Sequence, residues 1–197
     1  MSLDKNEKIG VVSYLIIQEM NKVKKSKINV QKLAEKAQVS RPWIYKYFGS
    51  SEKEIVMTAI DCLSSQITEL TKEDDEPESR KEWARFFLKS LDITMVEAET
   101  YPEFFQFYFM CMLFPSEFTE RLKHHEHLYH EHRVIPRIKK VFAFSQTEAR
   151  SFAEMILALR LGMVISWLRE ENKTKANRQK LIGSVRKNIF DQFKELD

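Results

Sequence analysis

The chain has 197 residues, 43% of them hydrophobic and 31% charged, which is enough apolar mass to close a core around one or two compact units and too much for a disordered segment. Only 4 Gly and 5 Pro occur, a scarcity of turn formers that argues against many short strands and makes an all-α protein the expected class. The net charge of +3 is unevenly spread: residues 1–55 hold 11 Lys/Arg against 6 Asp/Glu (+5), and residues 56–197 hold 21 against 23 (−2). Clustered positive charge of this kind attracts polyanions.

No uninterrupted apolar run reaches the roughly 18 residues of a membrane span. The opening MSLDKNEK lacks the apolar stretch of a signal peptide, so a cytoplasmic protein without a membrane partner is expected. Cys62 and Cys111 stand 49 positions apart with no CxxC pattern and read as two reduced, helix-packed thiols.

In chain order, Ile9, Val12, Leu15, Ile16, Met20 and Val23 recur at spacings of three and four and mark one face of a first helix over 8–23. After the basic run KVKKSK, Asn29 caps a short helix over 30–37, and Ser40 caps another over 41–48. Ser51 and Glu54 at capping-box spacing open a fourth helix, whose apolar pattern is Ile55, Ile60, Leu63, Ile67 and Leu70. The acidic, Pro-containing stretch 72–79 reads as a loop. Ser79 with Glu82 opens a helix to about residue 100.

Pro102 suits the first turn of the next helix, which stops before Pro115. Ser116 opens a polar, histidine-rich helix that ends or kinks near Pro136, followed by a short helix over 138–142. Ser145 with Glu148 starts a long segment to about residue 172, and Thr174 starts the last helix, which carries the stripe Ile182, Val185, Ile189, Phe193 and Leu196. The long segment is apolar around much of its girth, more than one domain covers, so the two terminal helices are expected to form a homodimer interface of four-helix type. A larger monomeric core is the alternative.

The informative segment is residues 28–55, INVQKLAEKAQVSRPWIYKYFGSSEKEI. Leu33, Ala34 and Ala37 face inward from its first short helix, and the small Ala34 permits the close helix approach that a tight turn requires. Ile44 and Phe48, four apart, anchor the second short helix and leave Arg41, Pro42, Trp43, Tyr45 and Lys46 on the outer arc, with Tyr47 at its edge. A helix set end-on into a major groove presents its first residues to base edges. Arg41 can donate two hydrogen bonds to guanine, Pro42 and Trp43 can pack on a thymine methyl or sugar, and Tyr45, Lys46 and Tyr47 can reach phosphates. A solvated surface helix is the plainer alternative.

Through Leu33-Ala34, Ala37, Val39-Ser40, Ile44-Tyr45, Tyr47-Phe48, Ser50 and Glu52, residues 8–55 resemble the DNA-binding domain of the tetracycline repressor (TetR) family of bacterial regulators. The resemblance implies an N-terminal three-helix helix-turn-helix DNA-binding domain over 1–55 and a helical ligand-binding and dimerisation domain over 56–197. It implies that Gln31, Arg41, Pro42 and Trp43 face bases and that Asn29, Tyr45 and Tyr47 face phosphates. Three positions depart from the family pattern. Gln38 replaces the usual turn Gly, at a cost of roughly 1 kcal/mol where φ must be positive. Ser51 replaces a frequent Lys, which leaves that phosphate contact to Lys53 or a backbone N–H. Trp43 is bulky where the family has a small residue.

In the body, the aromatic and Met-rich segment 101–114 covers every face of a helix and is expected to be buried, either as ordinary core or around an adaptable apolar pocket. The resemblance implies a cavity among the body helices for a small apolar or aromatic effector, with Trp83, Phe86, Phe87, Phe105, Phe109, Met112 and Phe152 as candidate lining. All 5 histidines fall within 124–132, where His124, His127, His130 and Glu131 lie near common stripes. A zinc or nickel site, a pH-responsive face and a solvated polar face are all open readings. No nucleophile with a base, carboxylate pair or phosphate-cradling Gly-rich loop stands at recognisable spacing, so neither enzymatic activity nor a cofactor is expected. The expectation is a ligand-responsive repressor acting as a homodimer on a pseudo-palindromic operator in double-stranded DNA. The alternative is a helical adaptor that has lost specific DNA binding.

Overall fold

The computed structural model describes residues 3–22, 28–70 and 77–187, excluding the side chains of 67–70. The described residues are all-α, with no strand among them. The helices are α1 (Lys5–Lys22), α2 (Val30–Lys36), α3 (Arg41–Phe48), α4 (Glu52–Leu70), α5 (Arg80–Thr100), α6 (Pro102–Leu113), α7 (Thr119–Tyr129), α8 (Ile135–Phe142), α9 (Gln146–Leu168) and α10 (Lys175–Val185). A π-helical turn, His130–Val134, separates α7 from α8.

Most helix starts are local chemistry. The side chains of Asn29, Ser40 and Thr174 accept the backbone N–H of Lys32, Trp43 and Asn177, and each satisfies a donor that the first helical turn leaves without a partner. Ser51 with Glu54 and Ser145 with Glu148 form reciprocal capping boxes. Asp4 and Glu7 form another, which starts α1 at Lys5, three residues before the apolar periodicity begins.

Helix α9 ends at Leu168 rather than near residue 172, and two further boundaries differ from the sequence expectation. Helix α7 starts at Thr119, because the Ser116 N–H donates to Thr119 Oγ1 (2.8 Å) and that hydroxyl donates to the Cys111 carbonyl (3.0 Å), tying 116–118 into a turn against α6. At Pro136 the chain neither stops nor breaks. The Ile135 N–H reaches back five residues to the His130 carbonyl, and the wider π turn places Pro136 in the first turn of α8.

The chain divides into two compact units: Met1–Glu69 with Tyr101–Glu126, and Leu70–Thr100 with His127–Asp197. In the first, α1 packs against α2 and α6, with Val12, Ile16 and Ile17 buried. Glu103 on α6 is a polar hub. It accepts from Tyr14 Oη and from Gln18 Nε2 (3.0 Å), and its carbonyl accepts from Asn21 Nδ2 (2.6 Å). Burial alone would raise the Glu103 carboxyl, but these donors outweigh it and hold the group below its usual range. Burial and the adjacent carboxylate push Tyr14 up to about 12. Helix α7 is latched to α4 by Arg121, which donates twice to Asp61 (2.5 Å each), and by His125 Nε2 at 2.8 Å from the same carboxylate.

Helix α6 is not buried on every face as expected. Phe104, Phe105, Phe107 and Cys111 are buried, but Met110, Leu113 and Phe114 are 48%, 72% and 66% exposed. The apolar pattern runs all round the helix, whereas its neighbours cover one side.

In the second unit α5 packs against α8, α9 and α10. Arg178 bridges Asp92 (2.6 Å) and Glu99 (3.0 Å), and Glu99 also accepts from the Trp167 indole (2.8 Å). Ile182 and Val185 of the terminal stripe turn inward here and are buried; Ile189, Phe193 and Leu196 lie outside the described residues. Helix α9 buries Ala149, Ala153, Ile156, Val164 and Trp167, while Met155 and Ile165 are 50% and 41% exposed. By length and composition it could also cross a membrane, although it carries Glu154 and Arg160, and Arg160 donates to Ser90 on α5 (2.9 Å).

Candidate nucleic-acid interface

Helices α2 and α3 are joined by a tight reversal built from backbone bonds. The Val39 N–H donates to the Ala34 carbonyl (3.0 Å) and the Gln38 N–H to the Glu35 carbonyl (3.2 Å), the two bonds of a Schellman termination. That motif demands a left-handed residue, and Gln38 has φ 53°. The departure noticed in the sequence therefore sits on the backbone position that favours glycine. Below the turn, Leu33, Ala34 and Ala37 are buried and clamp α2 to the unit.

On α3, Ile44 and Phe48 are 0% and 1% exposed and act as the two anchors. Arg41, Pro42, Tyr45 and Lys46 are exposed, and Arg41 Nη2 lies 3.4 Å from the Tyr45 hydroxyl, a long contact across one helical turn. Trp43 and Tyr47 are half-buried. The Trp43 ring lies 4.7 Å from that of Tyr47 and 6.3 Å from that of Phe48, so much of the indole is spent on its own helix. Two ammonium groups approach the Tyr47 ring: Lys46 Nζ at 5.3 Å from its centroid and Lys5 Nζ, from the first turn of α1, at 4.8 Å.

Helix α3 ends at Gly49, with φ 102° and ψ 174°, a region essentially confined to glycine. A Cβ there would stand 2.5 Å from Glu54 Cβ. Glu54 gathers the junction, accepting the Ser50 N–H (2.8 Å), the Ser51 N–H (2.9 Å) and the Ser50 hydroxyl (3.2 Å). The backbone N–H groups of Ser51 and Ser50 hold its carboxyl below the usual range. The angle between α3 and α4 is thereby fixed through one glycine and one carboxylate, neither of which the sequence reading singled out for this.

The other expected DNA contacts sit as follows. Asn29 is exposed with its side-chain oxygen spent on the α2 cap, which leaves its amide N–H groups outward. Gln31 is exposed and donates to Glu35 (3.3 Å). Lys53 is exposed and pairs with Glu117 (3.2 Å). Lys24, Lys25 and Lys27 of the basic run KVKKSK, for which no contact was expected, lie outside the described residues. Sequence reasoning missed Lys5, although the Asp4–Glu7 spacing was a readable sign that α1 begins there.

The seven candidate effector-lining residues fall on both units. Trp83, Phe87 and Phe152 meet in one aromatic cluster with Phe142 and Phe144, with ring centroids 5.1–5.8 Å apart. Phe86 lies beneath the Arg137 guanidinium at 4.8 Å. Phe105, Phe109 and Met112 belong to the other unit, where Phe105 meets Phe104 (5.9 Å) and Phe109 meets Tyr108 (5.6 Å). Phe142 and Phe144, which flank the turn after α8, were not among the expected lining residues.

The histidines separate by role. His125 engages Asp61, Glu131 accepts from Arg150 (3.0 Å), and His130 is held below its usual range by burial and then by the charge of Arg160. No group of three or more His, Cys, Asp or Glu side chains is arranged to hold a metal among the described residues. Compared with models of protein families, with curated proteins and with solved structures, the chain matches none.

Proposed function

We propose that this protein is a DNA-binding transcription regulator of the tetracycline repressor type, a cytoplasmic, non-enzymatic homodimer that represses from a pseudo-palindromic operator and releases it on binding a small apolar or aromatic effector. The observation that carries this reading is α3: Ile44 and Phe48 seat it, and Arg41, Pro42, Tyr45 and Lys46 stand outward at its start and along one side. In this reading α2, the Gln38 turn and α3 act as a helix-turn-helix. Arg41 and Pro42, with Trp43 and Gln31, would read base edges, and Asn29, Tyr45, Lys46, Tyr47 and Lys53 would set register on phosphates.

The exposed aliphatic face of α9 supports a dimer through the C-terminal helices, since bare Met155 and Ile165 gain by being covered. A dimer would present two copies of α3 roughly 34–36 Å apart, one turn of duplex. An effector that binds better to a state with another spacing lowers DNA affinity by the same coupling factor.

The test is selection of duplexes from a random-sequence pool by the full chain, followed by titration of Arg41→Ala on the selected duplex. Loss of one bidentate base contact per subunit should weaken specific binding by about 1–3 kcal/mol for each half-site and relax one position in each. An Arg41→Ala protein with unaltered selectivity would remove Arg41 from the interface. A second reading, a helical adaptor without specific DNA binding, draws on the Lys53–Glu117 pair and the self-packed Trp43. It predicts that no sequence is enriched.

A further inference from the structure

We infer that Lys5, on the first turn of α1, is a phosphate-contacting residue of the same interface, held beside α3 by the ring of Tyr47 and working as a pair with Lys46. The inference rests on the DNA-binding reading and deepens it, because it makes α1 part of the surface that grips the backbone.

Lys5 and Lys46 are 41 positions apart in sequence, yet both ammonium groups address one ring, at 4.8 Å and 5.3 Å from its centroid. The ring is itself braced by Trp43 at 4.7 Å. The backbone that carries Lys5 is equally constrained. Asp4 Oδ1 accepts the Glu7 N–H (2.9 Å) and Glu7 Oε2 accepts the Asp4 N–H (2.8 Å), so Lys5 leaves a closed capping box rather than a frayed end.

Neither ammonium is paired with a carboxylate among the described residues. Their distances to the shared centroid place them no more than about 10 Å apart, within one Debye length at 0.1 M salt, so they repel one another. The Tyr47 π face offsets part of that repulsion, and an anion at the same place removes more of it. Asp4 and Glu7 are the opposing charges. Each is engaged with a backbone N–H at the positive end of α1, and Lys8 follows Lys5 one turn on. With Tyr45 and Lys46 already on the α3 flank, the anion that fits is the sugar-phosphate backbone of the duplex whose groove α3 would enter. Lys5 would extend that contact along the same strand without reading its sequence.

The experiment uses the full chain, the duplex it selects from a random-sequence pool and a scrambled duplex of equal length, with affinity measured against salt concentration. Removing one phosphate contact from each subunit of the dimer should reduce the slope of log affinity against log salt by about 1.8, about 0.9 per contact. Lys5→Ala should show that reduction with an unchanged ratio of selected to scrambled affinity, and Lys5→Arg should restore the slope. Tyr47→Leu, with helical content checked by circular dichroism, should weaken both duplexes more than Lys5→Ala does. A wild-type salt slope in Lys5→Ala overturns the inference, as does a change in the selectivity ratio. If the unmodified protein selects no duplex, the DNA-binding reading itself fails and the Lys5 contact fails with it, an outcome visible before any variant is made.

Discussion

Helices α3 and α9 each bury a minority of their residues, two of 8 and five of 23, and only α9 leaves an aliphatic patch in solvent. What α3 leaves in solvent is cationic, aromatic and hydroxyl-bearing, a face at ease in water and complementary to a polyanion. What α9 leaves is polar near its start, with Glu148, Arg150, Ser151 and Glu154, and then includes Met155 and Ile165 with Ala158 and Gly162 exposed between them. A Cβ at Gly162 would meet nothing within 4 Å. Small residues between aliphatic ones allow a second helix to approach closely. Exposure alone does not define an interface. The chemistry of the exposed atoms decides whether a helix can wait for its partner in water or gains stability only when covered.

The largest expected effect comes from disturbing how α3 is aimed. Gly49→Ala forces a side chain into a backbone region reserved for glycine and against Glu54, and it should destabilise the protein by at least about 1–3 kcal/mol in urea unfolding. A neutral result would mean that this junction does not set the angle of α3. On the other side of the comparison, Met155→Glu and Ile165→Glu should each weaken self-association tenfold or more, about 1.4 kcal/mol, by sedimentation, while the monomer keeps its helical signal. A protein that is monomeric before mutation would break the contrast between the two helices.

The third test reaches beneath the surface of the unit that carries α3. Burial holds the Glu126 carboxyl above its usual range, although Tyr108 Oη donates to it. Between the ordinary carboxyl value and this raised one, the folded protein keeps the proton and the unfolded chain releases it. Stability from this group therefore falls as pH rises through that window. Glu126→Gln should flatten that part of the pH profile of the urea midpoint; an unchanged profile would mean that Glu126 is not the group responsible. The smallest effect is expected at Gln38, where replacement by Gly relieves a φ of 53° and should add up to about 1 kcal/mol of stability with DNA selectivity retained. Loss of stability there would show that the Gln38 side chain makes a compensating contact.

Much of the helical order was legible because capping acts over three residues. Asn29, Ser40, Ser51 with Glu54, Ser145 with Glu148 and Thr174 all cap the helices expected of them. The anchors Ile44 and Phe48 were legible from their spacing, and the strained turn from Gln38 standing where glycine is favoured. The α7 start was not, because it depends on Thr119 reaching back to the Cys111 carbonyl. Nor was the π turn, because His130–Val134 and the helix before it are polar and carry little apolar pattern whose phase an extra residue could shift. The aromatic residues were legible as apolar and illegible as groups: Trp83, Phe87 and Phe152 gather with Phe142 and Phe144, while Phe105, Phe109 and Met112 belong to the other unit.

Local sequence alone settled where the capped helices begin and which side chains of a helix share a face, since both follow from bonds and periodicities a few residues long. Tertiary structure alone decided which apolar faces are covered, so that Ile182 and Val185 point inward while Leu113 and Phe114 remain in solvent. It also brought Lys5 to Tyr47 and Tyr14 to Glu103. Those outcomes depend on what a distant segment places opposite each face, and no periodicity within a single helix encodes that.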